Sequence, residues 1–186
     1  MKNICIGLFE GETLPESLAA FKDVKLDLEF GKITTIHTLN QLDCEKVVVV
    51  GLGDGKKNIK EAFSKVEADD YLVYATENTA YAAGFGLVYG AYSYKDTKVY
   101  DLESDDFKDE FEKGKTVARI VNHAREMSDM PANFLTPDHL VDEAKLVAEK
   151  YDMEIEVLAQ DDLEEIGAGA LLAVNQGSDR PCFMVV

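Results

Sequence analysis

The run Lys46–Gly51, KVVVVG, constrains the fold more than any other stretch, because four valines precede a cluster of glycines. β-Branched residues favour strands, and a strand that is apolar on both faces must be buried between two layers. The cluster Gly51–Gly55 ends the run and predicts a turn into a helix. The sequence therefore predicts an α/β fold with a mixed central sheet flanked by helices.

Several other segments carry strand or helix patterns. The run Lys2–Phe9 is apolar or small on both faces and predicts a second buried strand. Asn58 with Glu61 predicts the start of a helix. Further predictions are a helix from a Thr13/Glu16 capping box to Phe21, a hairpin of strands 25–30 and 33–39, and strands 71–75 and 98–102.

The segment Thr79–Tyr94 is dense in alanine, glycine and aromatic residues. Its aromatic and valine residues recur at helical spacing, which predicts a helix. Each glycine costs a helix ~1 kcal/mol relative to alanine. Gly84, Gly86 and Gly90 therefore predict a buried helix that neighbouring elements approach closely.

A long amphipathic pattern precedes a stretch with two prolines, Ala124–Asp138. The apolar positions predict one helix over 106–128, ~35 Å long at 1.5 Å per residue. Its predicted buried stripe is Phe107, Phe111, Gly114, Val117, Val121, Ala124 and Met127. Thr136 and Pro137 predict the start of the next helix.

Three parts of the chain are predicted: an α/β domain over 1–104, a linker helix and joint over 105–130, and the start of a second domain over 131–186. The last part reads as a strand over 154–158, helices over 161–166 and 168–174, and a strand over 181–186. A strand as apolar as the last one needs neighbours on both sides, so we expect the sequence to be an excerpt of a longer protein.

The charge balance bears on possible partners. With 36 acidic and 19 basic side chains, the net charge is −17, and such a field repels phosphates. We therefore expect no nucleic-acid and no membrane partner. We also predict a cytoplasmic protein, because no run of ~18 apolar residues and no cleavable leader is present. Cys5, Cys44 and Cys182 are spaced too widely for a zinc motif and are predicted to be buried, reduced thiols.

The sequence contains few candidate catalytic or ligand-binding residues. The cluster Gly51–Gly55 reads G-x-G-x-G, which departs from the dinucleotide and phosphate-loop patterns and favours a plain tight turn. His37, His123 and His139 have no partner at metal-ligand spacing. From the residues alone we assign no catalytic, metal-binding or cofactor-binding residue.

Four ordered segments resemble the leucyl (cytosol) aminopeptidase family. The joint AREMSDMPANFLTPD resembles the segment between the two domains of that family, although Asp129 stands where the family usually has asparagine. Upstream, VVVVGLG at 47–53 and GLVYGAYSYKDTK at 86–98 resemble family segments. Downstream, GALLAVNQGSDRP at 169–181 does the same.

The resemblance implies a macro-like N-terminal domain joined to a catalytic domain with two divalent cations, Zn or Mn. It also implies release of N-terminal amino acids from peptide substrates and a homo-oligomer, usually a hexamer. The family motifs that hold the metals and the catalytic lysine and arginine are absent from this sequence and would follow Val186. We therefore expect residues 1–186 to be scaffold and inactive alone.

Two alternatives stay open at the level of the sequence. One is a free-standing macro-like module that binds a nucleotide or ADP-ribose at the Gly51–Gly55 turn. The other is a truncated, non-catalytic relative that acts as an interaction partner or regulator.

Overall fold

A computed structural model describes residues 2–186. The chain forms two compact units, residues 1–126 and residues 127–186. The predicted division into 1–104, 105–130 and 131–186 stays a prediction.

The first unit is built on a five-stranded sheet with the order β2-β3-β1-β4-β5. Strand β2 pairs with β3 in the antiparallel sense, and all other pairings are parallel. The predicted α/β class with a mixed central sheet is therefore confirmed. The strands are β1 (Asn3–Leu8), β2 (Ile33–His37), β3 (Lys46–Gly51), β4 (Tyr71–Tyr74) and β5 (Leu102–Ser104).

The valine run forms β3, which lies between β1 and β2 and is buried on both faces. Because side chains alternate along a strand, Val47 and Val49 enter one apolar cluster while Val48 and Val50 enter the other. One cluster contains Phe63 and Phe111, and the other contains Leu18 of a short 3-10 helix, Glu16–Phe21. The sheet is thus covered on both sides, as the sequence predicts.

Three α-helices belong wholly or mainly to this unit: α1 (Ile59–Phe63), α2 (Ala80–Gly90) and α3 (Lys108–Asp129). The predicted start of α1 is confirmed, because the Asn58 side chain accepts a hydrogen bond from the Lys60 backbone N–H at 3.3 Å. The predicted long helix is confirmed as α3.

The glycines of α2 provide close contact with two neighbouring helices. A Cβ atom on Gly90 would lie 2.2 Å from the carbonyl oxygen of Ser64, directly after α1. A Cβ atom on Gly84 would lie 2.2 Å from the carbonyl oxygen of Phe111 in α3. The prediction of a buried helix with closely approaching neighbours is confirmed.

Three local predictions for this unit are wrong. Residues 25–30 form no strand: they run beside the end of β3, where the Gly53 N–H donates to the Leu28 carbonyl at 3.0 Å. The strand predicted at 98–102 lies later, as β5. A helix ending at Phe21 forms as predicted, although it is a 3-10 helix, but the predicted Thr13/Glu16 capping box is wrong: Pro15 precedes the helix, with no side-chain cap hydrogen bond.

The predicted stripe of α3 is also partly wrong. The buried residues are Phe111, Gly114, Lys115, Ala118 and Asn122, so the buried face is rotated from the predicted one. Phe107 precedes the helix with a positive φ of 52°. Two polar side chains are buried because backbone carbonyls accept their hydrogen bonds: Leu102 for Lys115 and Val88 for Asn122.

The second unit contains three helices and a two-stranded antiparallel pair. Thr136 caps α4, accepting a hydrogen bond from the His139 N–H at 3.3 Å, with Pro137 at the first helical position, as predicted. Both strands are shorter than predicted, with two residues each. The elements are α4 (Pro137–Lys150), β6 (Val157–Leu158), α5 (Gln160–Glu165), α6 (Gly169–Asn175) and β7 (Met184–Val185).

A polar network ties the start of β1 to β3 and to the loop before β4. Asn3 donates to the Asp69 carboxylate at 3.0 Å and accepts from the Lys46 backbone N–H at 3.0 Å. The Lys46 ammonium lies 2.8 Å from the same carboxylate. Burial opposes ionisation of Asp69, but hydrogen bonds from Lys46, the Asp70 N–H and Asn3, together with the Lys46 charge, outweigh it. The pKa of Asp69 therefore lies below its usual value.

We expect Asp69→Asn to destabilise the chain at neutral pH by less than about 1 kcal/mol, because the ion pair is partly exposed to solvent. A depressed pKa contributes stability above the unfolded-state pKa, and that stability is lost as pH falls through the folded-state pKa. The difference between the wild type and the variant should therefore shrink below about pH 4. Urea unfolding across pH 3–7 measures this, and a pH-independent difference would contradict it.

Candidate functional site

The structure places the Gly51–Gly55 turn in a tight backbone crossing. A Cβ atom on Gly51 would lie 2.2 Å from the Glu29 carbonyl oxygen. The N–H groups of Gly51, Leu52 and Gly53 donate to backbone carbonyls at 2.8–3.0 Å. These three amides are therefore not available to an anion, which favours a plain tight turn over a nucleotide-binding site.

The three histidines, which have no partner at metal-ligand spacing in the sequence and are expected to be structural or solvent-exposed, lie on three different elements. His37 is exposed at the end of β2, and His123 is exposed on α3. The Nε2 atom of His139 lies 3.7 Å from the Glu143 carboxylate within α4. Among residues 2–186, no group of three or more His, Cys, Asp or Glu side chains could hold a metal ion. The side chains present therefore do not fit a two-cation centre.

The three cysteines are free and buried, as predicted. Cys5 is fully enclosed by the sheet, and burial raises the pKa of its thiol to about 12. Burial also raises the pKa of the Cys44 thiol. Since the thiolate is the nucleophile, Cys5 and Cys44 are suited to packing and not to covalent chemistry.

The joint is an ordered turn. Within the second unit, the Phe134 and Leu135 N–H groups both donate to the Pro131 carbonyl, at 2.8 and 3.0 Å. The Thr136 N–H donates to the Phe134 carbonyl at 3.1 Å, directly before the cap of α4. These hydrogen bonds define the path of the chain into α4.

A cleft of about 410 Å³ lies within the first unit, between the end of α2, the loop 95–100 and α3. We call it the α2–α3 cleft. One wall is the polar face of α3 from Lys115 to Glu126, and the other contains Leu87 and Val88 of α2. This cleft is not among the features predicted from the sequence. A usable signal was present, because polar residues recur along α3 at the spacing of one helix face.

Hydrogen bonds and stacking fix the floor of the α2–α3 cleft. The Lys115 ammonium donates to the Leu102 carbonyl at 2.7 Å and to Glu112 at 2.6 Å. Asn122 donates to the Val88 carbonyl at 2.9 Å. Arg125 donates to Asn122 at 3.0 Å and to the Tyr89 carbonyl at 3.1 Å.

The Arg125 guanidinium also stacks on two aromatic rings, 4.4 Å from the centroid of Tyr89 and 4.1 Å from that of Tyr92. A guanidinium over a ring face is held by cation–π attraction as well as by its hydrogen bonds. Arg125 therefore joins the end of α2 to α3 beside the cleft.

Comparison with known proteins relates the chain to peptidases. Residues 122–186 match the model of the cytosol aminopeptidase family, catalytic domain. A probable cytosol aminopeptidase of Exiguobacterium sibiricum is 35% identical over 84% of this chain and 37% of its own length.

Solved structures share the fold. The bottromycin maturation enzyme BotP in complex with Mn is 20% identical, with a TM-score of 0.78, over 99% of this chain and 44% of its own. A mutant of tomato leucine aminopeptidase is 18% identical, with a TM-score of 0.74, over 99% of this chain and 47% of its own.

The fold is α/β, and the matched segment and the curated relative relate the chain to a family of aminopeptidases. The chain belongs to the leucyl (cytosol) aminopeptidase family, and it spans less than half the length of these relatives. In the part of the chain that the structure describes, no helix is long and apolar enough to cross a membrane.

Proposed function

We propose that this chain is part of a metal-dependent aminopeptidase that hydrolyses N-terminal amino acids from peptides. One observation carries the proposal: residues 122–186 match the catalytic domain of the cytosol aminopeptidase family. The 35% identity to a probable cytosol aminopeptidase supports it. We propose a cytoplasmic location on the same basis, since the relatives are named for the cytosol.

Within that enzyme, residues 1–186 act as scaffold. The described residues contain no side-chain group fit to hold a metal ion, so two divalent cations, Zn or Mn, would be held by residues outside this chain. The Mn complex of a protein with the same fold supports a divalent cation. When bound, such cations polarise a carbonyl and activate water.

For partners, we propose a peptide substrate and a homo-oligomer, with a hexamer expected from the family. The net charge of −17 argues against nucleic acid and anionic membranes as partners. Sedimentation of the complete gene product tests the hexamer, and a monomer at micromolar concentration would contradict it.

The activity is tested with leucine p-nitroanilide in the presence of Mn²⁺ or Zn²⁺. We expect residues 1–186 alone to give no turnover above the metal-containing buffer, and the complete gene product to turn the substrate over. Turnover by residues 1–186 would contradict the scaffold role. A complete product that folds but cannot cleave any aminoacyl anilide would contradict the aminopeptidase assignment.

A further inference from the structure

The α2–α3 cleft has the size and lining of a small-molecule site. Its volume of about 410 Å³ lies in the range of ligand pockets, roughly 300–1,000 Å³. Leu87, Val88 and Leu102 form an apolar lining, and Val99 lies at the cleft with 94% of its surface exposed. An apolar body could therefore remove hydrophobic surface from water here.

The charges facing the cleft are mainly positive. Lys98 comes from the loop and Arg119 from α3, and among the described residues neither is paired with a carboxylate. Glu126 is the acidic residue that lines the described cleft. The chain has 36 acidic and 19 basic side chains, so acids are plentiful as partners. In so acidic a chain, two cations that line one cavity without a carboxylate partner within residues 2–186 are unexpected.

The floor would not need to rearrange to accept a ligand. Lys115 is already held by Leu102 and Glu112, and Asn122 by Val88 and Arg125. Lys95 also lines the cleft, and its ammonium lies 5.2 Å from the centroid of the Tyr94 ring. The charge available to a ligand therefore comes mainly from Lys98 and Arg119. Guanidinium and ammonium groups make their strongest hydrogen bonds with carboxylates and phosphates.

We propose that the α2–α3 cleft binds a small organic anion, in which a carboxylate or phosphate is attached to an aliphatic or aromatic body. Lys98 and Arg119 would bind the anionic group, and Leu87 and Val88 would contact the apolar body. This site goes beyond the proposed peptidase function, because it lies within the first unit and needs neither a metal ion nor a peptide bond.

The test uses the whole chain, labelled with ¹⁵N, and follows amide shifts on titration with phenyl phosphate, phenylacetate and the neutral 2-phenylethanol. We expect saturable shifts in the loop 95–100 and on α3 with at least one anion, with a Kd of about 1 mM or tighter. The two anions distinguish a phosphate site from a carboxylate site. Equal binding of 2-phenylethanol, or no saturation by either anion up to about 10 mM, would overturn the proposal.

Two double variants distinguish binding at the cleft from a general effect of the protein's net charge. Lys98→Gln with Arg119→Gln should raise the Kd at least about tenfold, because two charge-assisted hydrogen bonds are lost. The matched control, Lys22→Gln with Arg180→Gln, removes two exposed cations elsewhere and should change the Kd less than about twofold. Equal losses in both double variants, with native spectra in each, would overturn the proposal.

Discussion

Gly114→Ala is expected to lower the free energy of unfolding by about 2–3 kcal/mol. A Cβ atom on Gly114 would lie 2.2 Å from the Tyr81 carbonyl oxygen, and one on Gly84 would lie 2.2 Å from the Phe111 carbonyl oxygen. Each of the two helices, α2 and α3, thus has a glycine that packs against a backbone carbonyl of the other. Because a backbone cannot move aside like a side-chain end, the steric cost is at or above the top of the usual 1–3 kcal/mol. A gain in helix propensity of ~1 kcal/mol offsets part of it.

Urea unfolding followed by circular dichroism measures this loss. Gly169→Ala is the matched control, because Gly169 is also helical but a Cβ atom there would meet nothing within 4 Å. The control should be neutral or slightly stabilising. If Gly114→Ala behaves like the control, the two helices are not in backbone contact and the described crossing is wrong.

The sequence predicts the centre of the fold well, because burial leaves few choices there. A strand with valines on both faces can only lie inside a sheet, and β3 does. Three glycines in a helix cost too much without a packing reason, and in α2 each is met by a neighbouring helix or the residues directly after it. In both cases the local pattern and the tertiary contact favour the same structure.

The errors fall where a tertiary partner overrides the local pattern. Residues 25–30 alternate like a strand, yet their carbonyls meet the glycines at the end of β3, and no strand forms. Lys115 and Asn122 look like surface residues, yet both are buried against backbone carbonyls of β5 and α2. Periodicity cannot show these partners, because they come from distant parts of the chain.

The functional features also divide into one that the sequence predicts and one that it does not. Ordered segments of specific sequence predict the aminopeptidase family, and the comparisons confirm it. The α2–α3 cleft could not be predicted, because it combines the end of α2, a loop without regular structure and one face of α3. Its charge pattern has meaning only once Lys98 and Arg119 are known to face the same space.

Phe63→Ala is expected to cost about 3–5 kcal/mol, since the ring is 1% exposed and its removal leaves a cavity beneath the sheet. The same ring explains why β1 carries a glycine next to its last residue. A Cβ atom on Gly7 would lie 2.5 Å from Cζ of Phe63 and 3.0 Å from Cδ1 of Leu52. Gly7→Ala alone should therefore cost roughly 1–3 kcal/mol from overpacking.

The two substitutions should compensate, because the new methyl group enters the space that the ring leaves. In the Phe63→Ala background, Gly7→Ala should be neutral or stabilising, which gives a coupling free energy of at least about 1 kcal/mol in a double-mutant cycle measured by urea unfolding. Leu18→Ala is the control partner for Gly7→Ala, because Leu18 lies in the other apolar cluster and should give additive losses. If the stability losses of Gly7→Ala and Phe63→Ala are additive, contact with the Phe63 ring is not the reason why position 7 is a glycine.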